Sequence, residues 1–178
     1  MIAVAPERLE RGRFVYERIR PEHATELEAL LLDPRVYSML HPGQQPPTAD
    51  DVHNHVERKH RHWERYGFGL WLLRDRATGE LAGRGGLQHT DAVAGEPVEV
   101  AWAVMPGRWG EGLATELALT SVDVGFETLE LGRVIAFTLP HNLASRRVME
   151  KSGFTYERDI VHADLPHVVY SRGRDLGG

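Results

Sequence analysis

The chain of 178 residues is 42 % hydrophobic and 26 % charged, which excludes general disorder and fibrous repeats and leaves enough material for one buried core. Its net charge of −5, with a pI near 6.1, offers no basic field to a nucleic acid. The absence of cysteine removes disulfides, thiolate zinc sites and cysteine nucleophiles.

No run of about 18 apolar residues is present to span a bilayer, and MIAVAPERLERGRF lacks the apolar core of a signal peptide, so a soluble, cytoplasmic protein with no membrane partner is expected. Phe14 to Ile19 reads as a first strand. Pro21 opens a helical stretch with Leu27, Leu30 and Leu31 at helical spacing, which Asp33-Pro34 ends. After the proline-rich loop HPGQQPP (41–47), Thr48 is placed as the N-cap of a long polar helix to about Tyr66, with Val52, Val56 and Trp63 as its buried stripe. From Gly67 the period changes: FGLWLLRD, LAGRGGLQHT and VEVAWAVM are short runs separated by turn residues, the pattern of an antiparallel meander. Helical spacing returns over 112–128. Arg133 to Leu139 is a fifth strand, Asn142 to Ser152 a further helix, and Phe154 to Arg172 a hairpin turning near Asp164-Leu165-Pro166. The order predicts one α/β domain over residues 1–178, with its core over about 14–172. Its mixed, mostly antiparallel sheet has about seven strands and about four flanking helices.

The stretch RWGEGLATE (108–116) lies where the fourth strand gives way to helix. A helix N-terminus carries free N–H groups and about half a positive charge, so a glycine-lined entry can cradle phosphate oxygens. Gly110 and Gly112 remove the Cβ atoms that would hold a ligand off the backbone, although an isolated G-x-G also serves as a plain tight turn. A Rossmann fingerprint fails because position 115 is Thr, and a P-loop fails because no Gly-Lys pair occurs.

PGRWGEGLATE resembles the pyrophosphate-binding segment of the GCN-related N-acetyltransferases (GNAT), whose loop reads Gln/Arg-x-x-Gly-x-Gly/Ala; Trp109 departs from the general pattern. The W-G-x-G-x-A-T-E form is similar to the branch of ribosomal-protein alanine N-acetyltransferases. A second segment, NLASRRVMEKSGF (142–154), resembles the family's N-x-x-S/A-x-x-x-x-x-K-x-G-F helix and following strand. The resemblance implies the acyl-CoA N-acyltransferase fold, with strands four and five splayed apart and the pantetheine arm of acetyl-CoA added along the exposed edge of strand four at Val104 and Met105. It implies that the backbone from Gly110 through Glu111, Gly112, Leu113 and Ala114 to Thr115 holds the pyrophosphate. Trp109 stands at the loop's first place, Arg108 is the expected phosphate partner and Glu111 is expected to point into solvent. Asn142 takes the position of an asparagine that contacts the cofactor arm; it is equally an N-cap.

Acetyl transfer to an amine needs a base for the ammonium and an acid for the departing thiolate. Glu99 matches a glutamate of this branch and is the candidate base, its alternative being a solvated carboxylate on an alternating strand. Met149 stands where many relatives have a catalytic tyrosine. Ser145 matches the serine that replaces it and is the candidate acid, its alternative being an ordinary helix serine; Tyr170 is the weaker substitute. His53, His55, His60 and His62 form two pairs seven apart, about 10 Å along a helix, which predicts a solvated polar face and no metal site. Tyr37, His41 and Trp63 are placed by position in an acceptor-binding wall.

The expected function is acetyl-CoA-dependent transfer to a primary amine by direct attack in a ternary complex. The acceptor would be a protein N-terminus or, alternatively, a small amine such as an antibiotic, polyamine or amino acid. A non-catalytic acyl-CoA sensor is the rival class. Expected partners are acetyl-CoA and the amine, with a homodimer left open.

Overall fold

Alternation and turn chemistry decide where the sheet lies. The computed structural model describes residues 3–95 and 97–175. Its strands are β1 (Arg8–Arg11), β2 (Phe14–Arg18), β3 (Leu70–Asp75), β4 (Leu81–His89), β5 (Val98–Val104), β6 (Arg133–Thr138), β7 (Thr155–His162) and β8 (Leu165–Gly173). The helices are α1 (Ala24–Leu31), α2 (Pro34–Leu40), α3 (Ala49–Tyr66), α4 (Leu113–Asp123) and α5 (Leu143–Lys151). One mixed sheet runs β1-β2-β3-β4-β5-β6-β8-β7, with every neighbouring pair antiparallel except β5 and β6.

Two elements exceed the sequence expectation. β1, with sequence RLER, pairs with β2 through Arg8 to Arg11, yet only Leu9 among its side chains packs on the core. A strand so polar carries no apolar alternation to read. α2 begins at the Asp33-Pro34 pair that ends α1. The Asp33 carboxylate accepts from the Arg35 N–H at 2.9 Å, and Pro34 has no N–H to leave unpaired, so one dipeptide stops one helix and starts the next. Thr48 caps α3 as expected, and Asp51 returns a bond to the Thr48 N–H to complete a capping box. The final hairpin turns on Ala163 and Asp164, both in the left-handed region as a two-residue type I′ turn requires.

Period-two alternation sends the two faces of the central strands to different layers. Gly83, Gly85 and Leu87 of β4, with Val100, Trp102 and Val104 of β5, face α4 and α5; there Leu117, Ala118, Val134 and Met149 fill the main core. Arg84, Gly86 and Gln88, with Glu99, Ala101 and Ala103, face α1 and α3, where Leu27, Leu30, Val52, Val56, Leu70 and Leu72 form a second cluster. Each fully buried leucine or valine contributes about 1.5–3 kcal/mol to holding a layer on the sheet.

α4 packs close because β4 is bare beneath it. A Cβ on Gly85 would lie 2.4 Å from the Ala101 carbonyl oxygen and 2.5 Å from Leu117 Cδ2. Gly85→Ala is therefore expected to destabilise the fold by about 1–3 kcal/mol, the usual cost of overpacking, which urea denaturation would measure. An unchanged midpoint would show that α4 can move outward freely.

Candidate active site

The parallel contact between β5 and β6 consists of a single register pair, Glu99 with Ile135. Beyond it the strands part. Met105 N–H donates to Ala82 O at 2.9 Å, so antiparallel alternation turns the backbone groups of Val104 and Trp102 away from β4 and toward the opening. A cavity of about 850 Å³ fills this opening and runs out under the glycine corner and α5.

At its outer end the chain turns through Pro106–Arg108 into the corner. Gly110 has φ +85° and Gly112 φ +81°, conformations that a side chain would strain, and no atom lies within 4 Å of a Cβ built on either. Gly112 is the N-cap of α4, and no side chain caps its first-turn N–H groups. A bare cradle at a helix N-terminus fits an anionic phosphate group. The corner is fixed from behind by Arg13, which donates to the Glu111 carbonyl at 2.9 Å and pairs with Glu116.

Glu111 is exposed to solvent, and its carboxylate also pairs with two arginines. Its carboxylate lies 3.0 Å from Arg108 and 3.7 Å from Arg13, and Arg108 also donates to Asp75 at 2.8 Å. With two carboxylates already on it, the Arg108 guanidinium braces the loop more than it offers charge to a ligand. Arg147 and Lys151, one turn apart on α5 in the cavity wall, are cations without an ion-pair partner among the described residues. Trp109, 54 % exposed, donates its indole N–H to the Val104 carbonyl at 2.9 Å.

On the α5 side Asn142 is buried, donates to Thr138 Oγ1 at 3.1 Å and accepts from the Ser145 N–H at 3.2 Å, so it is the helix cap as well as part of the cavity wall. Ser145 lines the same wall. Met149 is buried beside it, while Tyr170 lies outside the cavity, its hydroxyl accepting from Arg146 at 3.1 Å.

Beneath β5 lies a group of buried charges. Glu99 is only 9 % exposed; Gln88 donates to it at 3.2 Å and Lys59 donates to Gln88 at 2.7 Å. Burial pushes the Glu99 carboxyl up to about 7 against the pull of Gln88, Lys59 and Arg84. The same burial, with Arg84 nearby, lowers Lys59 to about 8, and burial lowers Arg84 to about 10. His55 falls to about 2, first through burial and then through Arg84 and Lys59, so its imidazole is neutral at ordinary pH.

Glu99, Val104, Arg108, Trp109, Gly110, Gly112, Leu113, Ala114, Thr115, Asn142 and Ser145 thus line one cavity. Met105 and Glu111 do not: the first spends its N–H on Ala82, and the second is turned back on Arg108. Glu99 is no solvated carboxylate. Of the proposed acceptor wall, His41 lines the cavity, whereas Tyr37 does not and Trp63 is buried in the core, donating to Leu70 O. The α3 histidines are also not one solvated face, since His55 reaches the cavity and His62 bonds Phe68 O and the His89 N–H. Arg84 and Lys59 escaped the sequence reading, although an arginine between glycines in an otherwise apolar strand is a visible signal. No group of three or more metal-ligating side chains occurs among the described residues.

The acetyltransferase (GNAT) domain family matches residues 13–155. The chain is 31 % identical over 169 residues to the uncharacterized protein YkkB of Bacillus subtilis, covering 90 % of this chain and 95 % of that one. Among solved structures, the ribosomal-protein-S5-alanine acetyltransferase of Vibrio fischeri superposes with a TM-score of 0.75 at 14 % identity, over 95 % of this chain and 97 % of that one. AAC(6')-Ib in complex with ribostamycin and coenzyme A does so with a TM-score of 0.78 at 18 % identity, over 92 % and 94 %. At these identities the two structures share the fold alone.

The charge group can be probed in the free protein. The Glu99 carboxyl carbon, followed by NMR, is expected to titrate near pH 7, and Lys59→Met is expected to raise that midpoint by removing a cation that favours the carboxylate. A midpoint near 4.5 would mean that water reaches the carboxyl.

Proposed function

The chain belongs to the GNAT family of acetyl-CoA-dependent N-acetyltransferases, and from that premise we propose that it acetylates a primary amine by direct attack, with both substrates bound together and Glu99 as the base. The observation that carries this reading is the position of Glu99, a buried carboxyl in the cavity wall at the residue where β5 and β6 part; burial there pushes its pKa up to about 7. A base is most useful when its pKa lies near the working pH, and here burial supplies the shift.

Acetyl-CoA, when bound, supplies the activated acetyl carbon. Gly110 and Gly112 open the backbone N–H groups at the start of α4 to the pyrophosphate, and Arg147 and Lys151 add positive charge at the mouth. Val104 turns its backbone toward the arm. Glu99 takes the proton that the ammonium must lose before its lone pair can form the N–C bond. The Ser145 hydroxyl, on the helix start that Asn142 caps through the Ser145 backbone N–H, gives a proton to the sulfur as the C–S bond breaks and regains one from the nitrogen, which sheds its second proton as the amide forms. With no cysteine in the chain, no thiol carries the acetyl group between the two.

The W-G-x-G-x-A-T-E form of the loop, similar to that of the ribosomal-protein alanine acetyltransferases, supports a peptide amino terminus as acceptor. A small amine is the second reading, favoured by the depth of the acceptor side, where Glu99 and Arg84 are both buried.

A CoA-release assay over a panel of amines and peptides tests the transfer. Glu99→Gln is expected to lower kcat by about 100-fold or more with acetyl-CoA affinity unchanged. In the wild type kcat/KM should rise with pH through about 7, as Glu99 loses its proton, and the variant should lack that limb. Retention of the limb would assign it to another group. Gly112→Val should weaken CoA binding about tenfold or more in calorimetry, because a β-branched residue cannot hold φ +81°, while Glu111→Ala changes it little. Equal effects would remove the backbone cradle from the account. Tight acetyl-CoA binding with no turnover on any acceptor would support a sensor.

A further inference from the structure

Acetyl transfer to an amine leaves open what else the amine carries, and the inference here rests on that transfer. Arg84 leaves β4 between two glycines on the face shared with Gln88 and Glu99. It is 6 % exposed, yet lines both the main cavity and a smaller one of about 270 Å³ beside it. Its Nε is buried without a hydrogen-bond partner among the described residues, and so is Nε2 of His55 on the same wall. A buried donor left unmade is costly, and a buried guanidinium more so.

Among the described residues the one opposite charge acting on it is Glu99, which already accepts from Gln88. Lys59 is spent on Gln88, His55 is neutral, and Arg58 adds a further cation to the smaller cavity, where Asp51 is already bonded to Thr48. Among the described residues Glu99 is the one acidic side chain lining the main cavity, against six lysines and arginines. Such a wall carries an excess of positive charge, which repels a polycation and favours a further anion.

We propose that the acceptor is a primary amine that also bears a carboxylate, with Arg84 binding the carboxylate while Glu99 faces the amine. A planar guanidinium matches a carboxylate through two parallel N–H···O bonds, and the unpartnered Nε is one of its donors. Arg84 is on this account a specificity-determining residue.

The test compares matched acceptors at saturating acetyl-CoA: glycine with glycinamide, 4-aminobutyrate with butylamine, Ala-Asp-amide with Ala-Asn-amide, and spermidine and kanamycin as polycations. In at least one pair kcat/KM is expected to favour the carboxylate by at least about tenfold. Arg84→Gln should raise KM for that carboxylate by about 10–100-fold, with the uncharged partner and acetyl-CoA affinity affected far less. Arg84→Lys, which keeps the charge and loses the fork, should fall between, an ordering that a folding defect does not produce. Better turnover of the free amino acids places the carboxylate on the acceptor's own small skeleton, and better turnover of Ala-Asp-amide places it on a peptide side chain; either supports the proposal. Preference for the polycations, or a carboxylate preference unchanged in Arg84→Gln, overturns it while leaving acetyl transfer intact. Turnover of no acceptor at all overturns both.

Discussion

The failure of β5 and β6 to pair beyond Glu99 and Ile135 is the constraint on which the site depends. An unpaired strand edge inside a sheet is normally a liability, because its N–H and C=O groups lose water without gaining partners. Here the edge lines a cavity, so the groups stay wet or meet a ligand. The two parts of the sheet are held by side chains instead: Phe14, Trp71 and Leu87 on one side of the gap share a core with Val134, Met149 and Tyr170 on the other. Cohesion through the core lets the backbone stay open.

The same gap explains the electrostatics. Residues 99, 101 and 103 point beneath β5 into a layer closed by α1 and α3, so a carboxylate at 99 meets apolar walls and nearby cations instead of bulk water. Burial then moves Glu99 up and Lys59 and Arg84 down, all toward neutrality, which lowers the cost of keeping three ionisable groups out of water. The mouth is treated differently. Its charges are exposed or already paired, as Arg108 is with Asp75 and Glu111, and they position backbone rather than store strain.

Much of this could be read from the sequence, for identifiable reasons. The glycine corner is legible because Gly110 and Gly112 must adopt positive φ and no other residue does so cheaply. The α3 and α5 caps are legible because Thr48 and Asn142 are short polar residues just ahead of a periodic stretch. β1 and α2 were invisible because neither advertises itself by apolar periodicity. The pair of cations under β5 is hidden for a different reason: Arg84 and Lys59 come from β4 and α3, and only the register that sets residue 84 opposite 103 and 88 opposite 99 shows which face they share. Glu99 was named from a resemblance, but its burial belongs to the layer of helices above it.

The indole of Trp109 on the Val104 carbonyl has a consequence for how anything can lie along that edge. An edge strand ordinarily offers a donor and an acceptor at each outward residue, and an added chain can meet it in either sense. At Val104 the carbonyl already accepts one bond and keeps one lone pair, while the N–H is turned to the gap with its full capacity. An amide arriving there is matched better by presenting its oxygen than its hydrogen. One aromatic side chain thereby gives the edge a direction, so that a long flexible ligand is oriented by hydrogen-bond polarity before its reactive end reaches the base of the gap.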